Sequence, residues 1–296
     1  MIGCCVGIMA YNEAANIGRL LAALQAQATE TVRIEEIIVV ASGCTDRTEE
    51  IVEGFSAQDG RVRLIRQPRR EGKASAVNLL LKNTEQEVIV LHSADTLPAP
   101  HSIEALVAPF ADPQVGLTGG HPVPTNSPDH FMGYGVHLLW ELHHQIALQR
   151  PKMGELIAFR RIFRQIPGDS AVDEASIEPL IIGQGLHMLY APQAVVYNKG
   201  PETVRDFLKQ RQRIFAGHLY VKDMLGYRVS TMNSARIAWL FVKNARFDWR
   251  FFTWGLGIAA LEVYCRLWGA YAYKVWRHKP YAWSIAESTK DLAEAT

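Results

Sequence analysis

Short apolar runs that alternate with helix-like segments dominate the first third of the chain. The runs are rich in β-branched residues and lie at positions 2–9, 36–41, 62–65 and 87–91. Between them, apolar residues recur with helical spacing, as in the segments 17–24, 48–55 and 72–83. Strands that alternate with helices are typical of a parallel, doubly wound sheet, so the sequence predicts an α/β fold.

Polar residues follow three of the predicted strands directly. These polar clusters lie at positions 12–13, 42–46 and 93–96. Ligands of doubly wound sheets bind beyond the carboxyl ends of the strands. We therefore expect the three clusters to converge on one crevice.

The composition excludes several classes of protein. Of 296 residues, 48% are hydrophobic and 21% are charged, which is typical of a globular chain and not of a disordered one. A net charge of +1 gives no support for a protein that coats nucleic acid, and we predict no nucleic-acid partner. The cysteines show no CxxC spacing, which argues against structural zinc. No charged leader precedes the first apolar run, which predicts a cytoplasmic protein.

The pattern becomes less regular after position 98. Strands are predicted at 115–120, 155–159, 186–190 and 194–197, and helices at 133–149 and 203–219. The prolines Pro122, Pro124 and Pro128 predict a loop between the first of these strands and the first helix. The acidic stretch 169–178 is interpreted as a loop or a helix start.

Six motifs, in this order, resemble those of the family 2 glycosyltransferases. They are Ala-Tyr-Asn-Glu (10–13), Val-Val-Ala-Ser-Gly-Cys-Thr-Asp-Arg-Thr (39–48), Gly-Lys-Ala-Ser-Ala-Val-Asn (72–78), Ser-Ala-Asp-Thr (93–96), Asp-Glu-Ala (173–175) and Gln-Arg-Gln-Arg-Ile (210–214). The resemblance implies the GT-A fold, a Rossmann-like, mostly parallel sheet with helices on both faces. It implies a catalytic domain over 1–225, divided into a nucleotide-sugar-binding half (1–97) and an acceptor half (98–225).

The resemblance places a nucleotide-sugar donor at the ends of the strands. The residues implied are Ala10, Tyr11, Asn12, Glu13, Ser42, Lys73, Ser93, Ala94 and Asp95. The Tyr11 ring can pack on a base, and Lys73 at a helix start suits a diphosphate. A purely structural alternative is that Asn12 caps the first helix. Ser42 stands where the family usually has an acid that reads the base, so the expected uridine base is less firmly specified.

The family's Asp-x-Asp metal motif is Ser93-Ala94-Asp95 in this chain. The resemblance implies that Asp95 binds Mg²⁺ or Mn²⁺, which neutralises the diphosphate of the donor. Ser93 replaces the first acid, which weakens the expected site. His92 lies beside the motif, but its side chain is predicted to face away from that of Ser93.

Catalytic residues are implied at Asp173-Glu174, which match the family's Glu-Asp pair in reversed order. Inverting transfer needs a base that takes the proton of the acceptor hydroxyl, and Glu174 is favoured over Asp173. Gln210 and Arg213 match the family's Gln-x-x-Arg-Trp signature and are implied to contact phosphate or acceptor. Ile214 stands where that signature has Trp.

The C-terminal region, residues 226–296, differs from the rest of the chain. From 226 to 280 it has nine Lys or Arg against two Asp or Glu, a local charge of +7 that leaves the remainder at about −6. Five of the seven Trp also lie between 226 and 280. Basic, aromatic, amphipathic helices are typical of membrane surfaces, so residues 236–279 are predicted to bind the cytoplasmic face of the cell membrane. Two alternatives are a helix hairpin packed on the catalytic domain and a contact between two copies of the chain.

The sequence thus predicts an inverting, metal-dependent glycosyltransferase. Its expected donor is a UDP-sugar, and its expected acceptor is a lipid, a lipid-linked sugar or a polysaccharide. An alternative is a glycosyltransferase-like binding subunit without activity, which the replacements Ala41, Ser42, Ser93 and Ile214 suggest. A nucleotidyltransferase usually has a Gly-rich basic loop after the first strand, and Tyr11-Asn12-Glu13 is no such loop.

Overall fold

The computed structural model describes residues 1–168, 173–243 and 249–275. The strands are β1 (Ile2–Ala10), β2 (Val32–Ser42), β3 (Val62–Gln67), β4 (Val88–Ser93), β5 (Thr96–Pro98), β6 (Val115–Pro124), β7 (Leu156–Arg160) and β8 (His187–Asn198). The helices are α1 (Ile17–Gln25), α2 (Thr48–Ser56), α3 (Lys73–Lys82), α4 (Ser102–Val107), α5 (Phe131–Gln149), α6 (Asp173–Ile182), α7 (Val204–Leu225), α8 (Ser234–Lys243) and α9 (Leu256–Val275). A π-helical turn, Phe251–Gly255, leads directly into α9.

The strands form one mixed sheet in the order β3-β2-β1-β4-β7-β6-β8-β5. The pairs β3–β2, β2–β1 and β1–β4 are parallel, as is β6–β8. β7 runs antiparallel to both β4 and β6. The predicted α/β fold with a mostly parallel sheet is therefore confirmed, and the sheet continues from the first 97 residues into the segment that follows.

Apolar side chains cover both faces of the parallel strands. On one face, Cys4, Val6 and Ile8 of β1 belong to a cluster that also contains residues of α1, α2 and α4. On the other face, Cys5 belongs to a second cluster with Leu80 of α3. Because both faces are occupied by apolar packing, polar side chains of these strands are concentrated at the strand ends.

Two details of the second half differ from the sequence prediction. Pro122 and Pro124, predicted to lie in a loop, belong to β6 and pair with β8. The pairing of β6 with β7 ends at Gly119, so the prolines lie on a free stretch of strand edge, where a missing N–H costs little. The two predicted strands at 186–190 and 194–197 are the single strand β8.

The helix α9 packs along α7 through one of its faces. The Glu262 carboxylate accepts two hydrogen bonds from Arg211 of α7, at 2.8 and 2.9 Å, and one from Arg266 at 2.9 Å. Cys265 is buried, and a side chain added at Gly269 would lie only 3.1 Å from the Gln212 carbonyl oxygen. The alternative of a packed helix therefore holds for this face of α9. None of the helices in the described ranges combines the length and apolar character that crossing a bilayer requires.

We expect Glu262→Ala to lower the free energy of unfolding by about 3 kcal/mol, because it leaves the partly buried guanidinium of Arg211 without its carboxylate. Urea denaturation measures this change. The matched control is Glu50→Ala, which removes an exposed pair with Arg47 and should have a much smaller effect. Equal losses in the two variants would mean that the ion pair does not hold α9 in place.

Candidate functional site

The turns after β1 and β2 are joined through Asn12. Its side chain accepts a hydrogen bond from the Thr45 N–H at 2.8 Å and donates one to the Thr45 hydroxyl at 3.1 Å. Asn12 has a φ of 52°, which is uncommon for a residue with a Cβ atom. The N-cap of α1 is Asn16, not Asn12. The interpretation of Asn12 as a helix cap is therefore wrong, because its side chain connects two strand ends instead.

Hydrogen bonds that involve Glu13 and Asp46 also join the turns after β1 and β2. The Glu13 N–H donates to the Thr48 hydroxyl at 2.8 Å, and its buried carboxylate accepts from Asn16 Nδ2 at 3.2 Å. The Asp46 carboxylate accepts from the backbone N–H groups of Ala14 and Thr48, both at 3.0 Å. Neighbouring strand ends thus form one preorganised rim.

Two side chains that sequence reasoning missed lie against predicted donor residues. The Arg70 guanidinium lies 4.2 Å from the centre of the Tyr11 ring, a cation–π contact. The Ser42 hydroxyl donates to Gln67 Oε1 at 2.8 Å. Ala10 is buried, so any contact to a ligand there has to come from its main chain. Gln67 is the last residue of β3, and Arg70 lies between β3 and α3; the sequence offers no distinctive motif at either position.

A third missed residue, Glu155, lies against the predicted metal motif. The Ser93 hydroxyl donates to Glu155 Oε2 at 3.1 Å. Burial raises the pKa of Glu155 to about 7, and the nearby carboxylates of Asp95 and Glu174 act in the same direction. Ala94, between Ser93 and Asp95, is packed into the core.

His92 is separated from this polar group by the sheet itself. Its ring is buried, and its Nδ1 lies 2.8 Å from the Ser93 carbonyl oxygen. Burial lowers the pKa of His92 to about 4. His92 is therefore neutral and buried. Its side chain points away from that of Ser93, as the alternation of side chains along a strand predicts.

The favoured catalytic residue, Glu174, is paired with Lys73. The Lys73 ammonium lies 3.1 Å from Glu174 Oε1, which joins the start of α3 to the start of α6. Burial acts to raise the pKa of Glu174, but Lys73 and a backbone N–H outweigh it, so the pKa is lowered. Asp173 is the first residue of α6, and its side chain lies outside the described part of the structure.

The carboxylates of Asp95, Glu155 and Glu174 suit a hard divalent cation. Asp95 and Glu174 both interact electrostatically with Glu155, and oxygen ligands are those that Mg²⁺ and Mn²⁺ prefer. Within the described ranges, no three His, Cys, Asp or Glu side chains form a metal site by themselves. The residues therefore fit a cation that is bound by one or two carboxylates and completed by ligand phosphates and water.

A cavity of about 210 Å³ opens beside the carboxylates of Glu155 and Glu174. Glu155 and Glu174 line it, and apolar and aromatic residues of α5, such as Leu139 and Trp140, form a wall. The face of α7 toward the cavity consists of Phe207, Gln210, Arg211, Ile214 and His218.

The two residues predicted on α7 are placed differently. Gln210 lines the cavity, as does Ile214 one turn later. Arg213 lies on the same helix, and its buried Nε atom has no hydrogen-bond partner among the described residues. On α7, Gln210 and Ile214 are four positions apart and both line the cavity. Arg213 is not among the lining residues, so it lies beside this row of side chains. Its contact with phosphate or acceptor stays a prediction.

Residues 5–170 match the model of the family described as glycosyl transferase family 2. One similar protein is a dolichyl-phosphate beta-glucosyltransferase of Trichomonas vaginalis, 26% identical over 211 residues. That match covers 65% of this chain and 63% of the relative, so the chain spans less than two thirds of that relative's length.

Two solved structures share the fold. A mannosyltransferase of Pyrobaculum calidifontis, in complex with GDP-Man and Mn²⁺, has a TM-score of 0.60 and 23% identity, with 94% of this chain and 81% of that chain covered. A glucosyl-3-phosphoglycerate synthase of Mycobacterium tuberculosis, with Mn²⁺, UDP and glucosyl-3-phosphoglycerate, has a TM-score of 0.54 and 19% identity, with 76% and 80% covered.

We expect Asn12→Ala to be less stable than Asn12→Gly by about 1 kcal/mol, since alanine disfavours a positive φ and glycine does not. Both variants lose the hydrogen bonds to Thr45, so the comparison isolates the backbone conformation. Urea unfolding of the two variants measures the difference. Equal stabilities would show that the turn relaxes to a negative φ and that its geometry is not fixed.

Proposed function

The chain belongs to glycosyl transferase family 2, and on that premise we propose that it is an inverting glycosyltransferase that uses a nucleoside diphosphate sugar. The observation that carries the proposal is the position of Glu174. Its carboxylate is paired with Lys73, lines the cavity and lies near the strand-end carboxylates. A proton acceptor, a cation for phosphate and a space for an acceptor thus lie together.

We place the donor on the rim formed by the turns after β1 and β2. The proposed contacts are those with Ala10, Tyr11, Asn12, Glu13 and Ser42, and the ring of Tyr11 offers a face for the base. The hydrogen bonds between Asn12 and Thr45 hold this rim in one shape. A preorganised site avoids the entropic cost of ordering loops when the donor binds. Uridine is the proposed base. Of the two solved structures that share the fold, the mannosyltransferase contains GDP-Man and the glucosyl-3-phosphoglycerate synthase contains UDP.

The diphosphate of the donor is assigned to Lys73, Ser93, Ala94 and Asp95. Bond cleavage adds negative charge to the departing diphosphate, and a bound Mg²⁺ or Mn²⁺ stabilises such charge. In this chain Asp95 is the proposed ligand for that cation. Lys73 adds a positive charge at the N-terminus of α3, where backbone N–H groups also favour anions.

Glu174 is the proposed general base, with Asp173 beside it in sequence. The acceptor hydroxyl oxygen attacks the anomeric carbon, and a new carbon–oxygen bond forms. The bond from that carbon to the diphosphate oxygen breaks, the nucleoside diphosphate leaves, and the hydroxyl proton passes to the Glu174 carboxylate. A base with a lowered pKa is already deprotonated at neutral pH, as this step requires.

The cavity supports an acceptor that is partly apolar. Its α5 wall is mostly apolar and aromatic, whereas Gln210, Glu155 and Glu174 add polar groups to the lining. An acceptor with a hydroxyl head and a hydrocarbon chain matches such a mixed lining. We therefore propose a lipid or lipid-linked acceptor, with Gln210 and Arg213 near its head.

A binding subunit without activity is the second candidate. The replacement of a family acid by Ser93 favours it, because that change removes a charge from the metal motif. The pairing of Lys73 with Glu174 and the cavity beside them argue against it, since a protein that only binds has no need for a positioned base.

We expect Glu174→Gln to lower sugar transfer by about 10²–10⁴-fold, because glutamine cannot accept the hydroxyl proton. Release of nucleoside diphosphate from UDP- and GDP-sugars measures this, with Mn²⁺ and a lipid acceptor that carries a free hydroxyl, such as dolichol, in detergent. Glu85→Gln, an exposed change, is the matched control and should match the parent. Full activity in Glu174→Gln would remove the assigned base. Donor binding without turnover in the parent would favour the binding subunit.

We further propose that the exposed face of the C-terminal helices contacts an anionic membrane surface. Large apolar side chains stand out into solvent there, and Trp249 and Leu267 are 62% and 68% exposed. Lys243 and Arg250 lie against the exposed rings of Trp239 and Trp249. Exposed aromatic side chains mixed with cations are suited to lipid headgroups. The opposite face of α9 remains packed on α7.

We expect the parent protein to co-sediment with vesicles of equal parts phosphatidylcholine and phosphatidylglycerol, and less with phosphatidylcholine alone. The double variant Val263→Glu/Leu267→Glu alters adjacent exposed positions of α9 and should bind at least about tenfold more weakly. Ile162→Glu/Leu189→Glu adds the same charge elsewhere and is the control. An equal loss in both variants, or no binding of the parent, would contradict the proposed surface.

A further inference from the structure

The metal motif of this chain has one acid fewer than its family pattern. Ser93 stands in the position of the first Asp, which leaves Asp95 as the motif's single carboxylate. A diphosphate carries close to two negative charges, so a weakly held cation would make its binding weaker. The surroundings of Ser93 therefore decide whether the lost carboxylate has a replacement.

The antiparallel strand β7 brings a carboxylate to this position. In its register with β4, Leu156 pairs with His92, so Glu155 comes opposite Ser93. The Ser93 hydroxyl donates a 3.1 Å hydrogen bond to Glu155 Oε2. That bond holds the carboxylate against the last residue of β4, two positions before Asp95.

Three carboxylates lie near one another here, those of Asp95, Glu155 and Glu174. Lys73 is already paired with Glu174 at 3.1 Å, and Lys152 lies 3.8 Å from Glu178. A divalent cation held by Asp95 and Glu155 would offset the repulsion between these two carboxylates.

We propose that Glu155 supplies the carboxylate that Ser93 lacks, and that Glu155 and Asp95 together hold the divalent cation that accompanies the donor diphosphate. The Ser93 hydroxyl then positions its replacement. This inference deepens the proposed function, since it concerns the same donor site. It concerns binding of the cation and not transfer, so the two can fail separately.

A direct test measures Mn²⁺ binding in the presence of UDP, without any sugar or acceptor. Isothermal titration or the electron paramagnetic resonance signal of free Mn²⁺ gives the dissociation constant. We expect Glu155→Gln to weaken Mn²⁺ binding by about tenfold or more. Glutamine preserves the size of the side chain and can still accept the Ser93 hydrogen bond, so the fold should be retained.

A rescue variant separates a ligand from a merely structural residue. Ser93→Asp in the Glu155→Gln background puts the acid back at the family position and should restore most of the Mn²⁺ affinity. Glu85→Gln, which removes an exposed carboxylate paired with Arg161, should leave the affinity unchanged. Circular dichroism melting of each variant verifies that the fold is intact.

Parent-like Mn²⁺ affinity in Glu155→Gln would overturn the inference, as would a loss that Ser93→Asp does not reverse. Absence of Mn²⁺ binding by the parent with UDP would also overturn it. Mn²⁺ binding that depends on Glu155, in a protein that transfers no sugar, would support the inference and contradict the proposed function. Sugar transfer by the parent protein, together with unchanged Mn²⁺ affinity in Glu155→Gln, would support the proposed function and contradict the inference about Glu155.

Discussion

The parallel pairing of β1 with β2 on one side and β4 on the other is the constraint on which the rest of the site depends. Both faces of these strands are packed with apolar side chains, so polar residues concentrate where the strands end. Parallel strands end at the same edge, and three turns therefore meet there. The hydrogen bonds of Asn12 to Thr45 then hold two of those turns against each other.

The antiparallel strand β7 adds what the parallel strands lack. It runs in the opposite direction beside β4, so the start of β7 lies at the end of β4. Glu155, the residue directly before β7, is placed beside Ser93 at the end of β4 in this way. Glu174, at the start of α6, lies nearby and pairs with Lys73. Acids from distant parts of the sequence are thus concentrated beside a largely apolar cavity. Such crowding of like charge is costly in an apo protein, and it is relieved when a cation binds.

The sequence predicted the parallel strands well, because strands buried on both faces are continuous apolar runs. It also predicted that His92 points away from Ser93, since side chains alternate along a strand. It could not predict the place of Glu155, since β7 pairs with β4 through residues that lie 64 to 72 positions apart in the sequence. The prolines of β6 were misinterpreted because only the pairing pattern shows which strand edge is free. The position of Arg213 could not be predicted either, since the spacing of residues on a helix does not show which of its faces lines a cavity. For α9, composition indicated an amphipathic helix but not that Glu262 would join it to α7.

In the proposed site, Asp95 and Glu155 both bind the cation beside the donor diphosphate. A crystal structure of the protein grown with Mn²⁺ and UDP, with diffraction recorded at a wavelength where manganese scatters anomalously, shows whether both residues do so. We predict an anomalous peak within bonding distance of carboxylate oxygens from both residues and of the diphosphate. A peak bound by Asp95 alone, with Glu155 still hydrogen-bonded to Ser93 and remote from the metal, would contradict this arrangement.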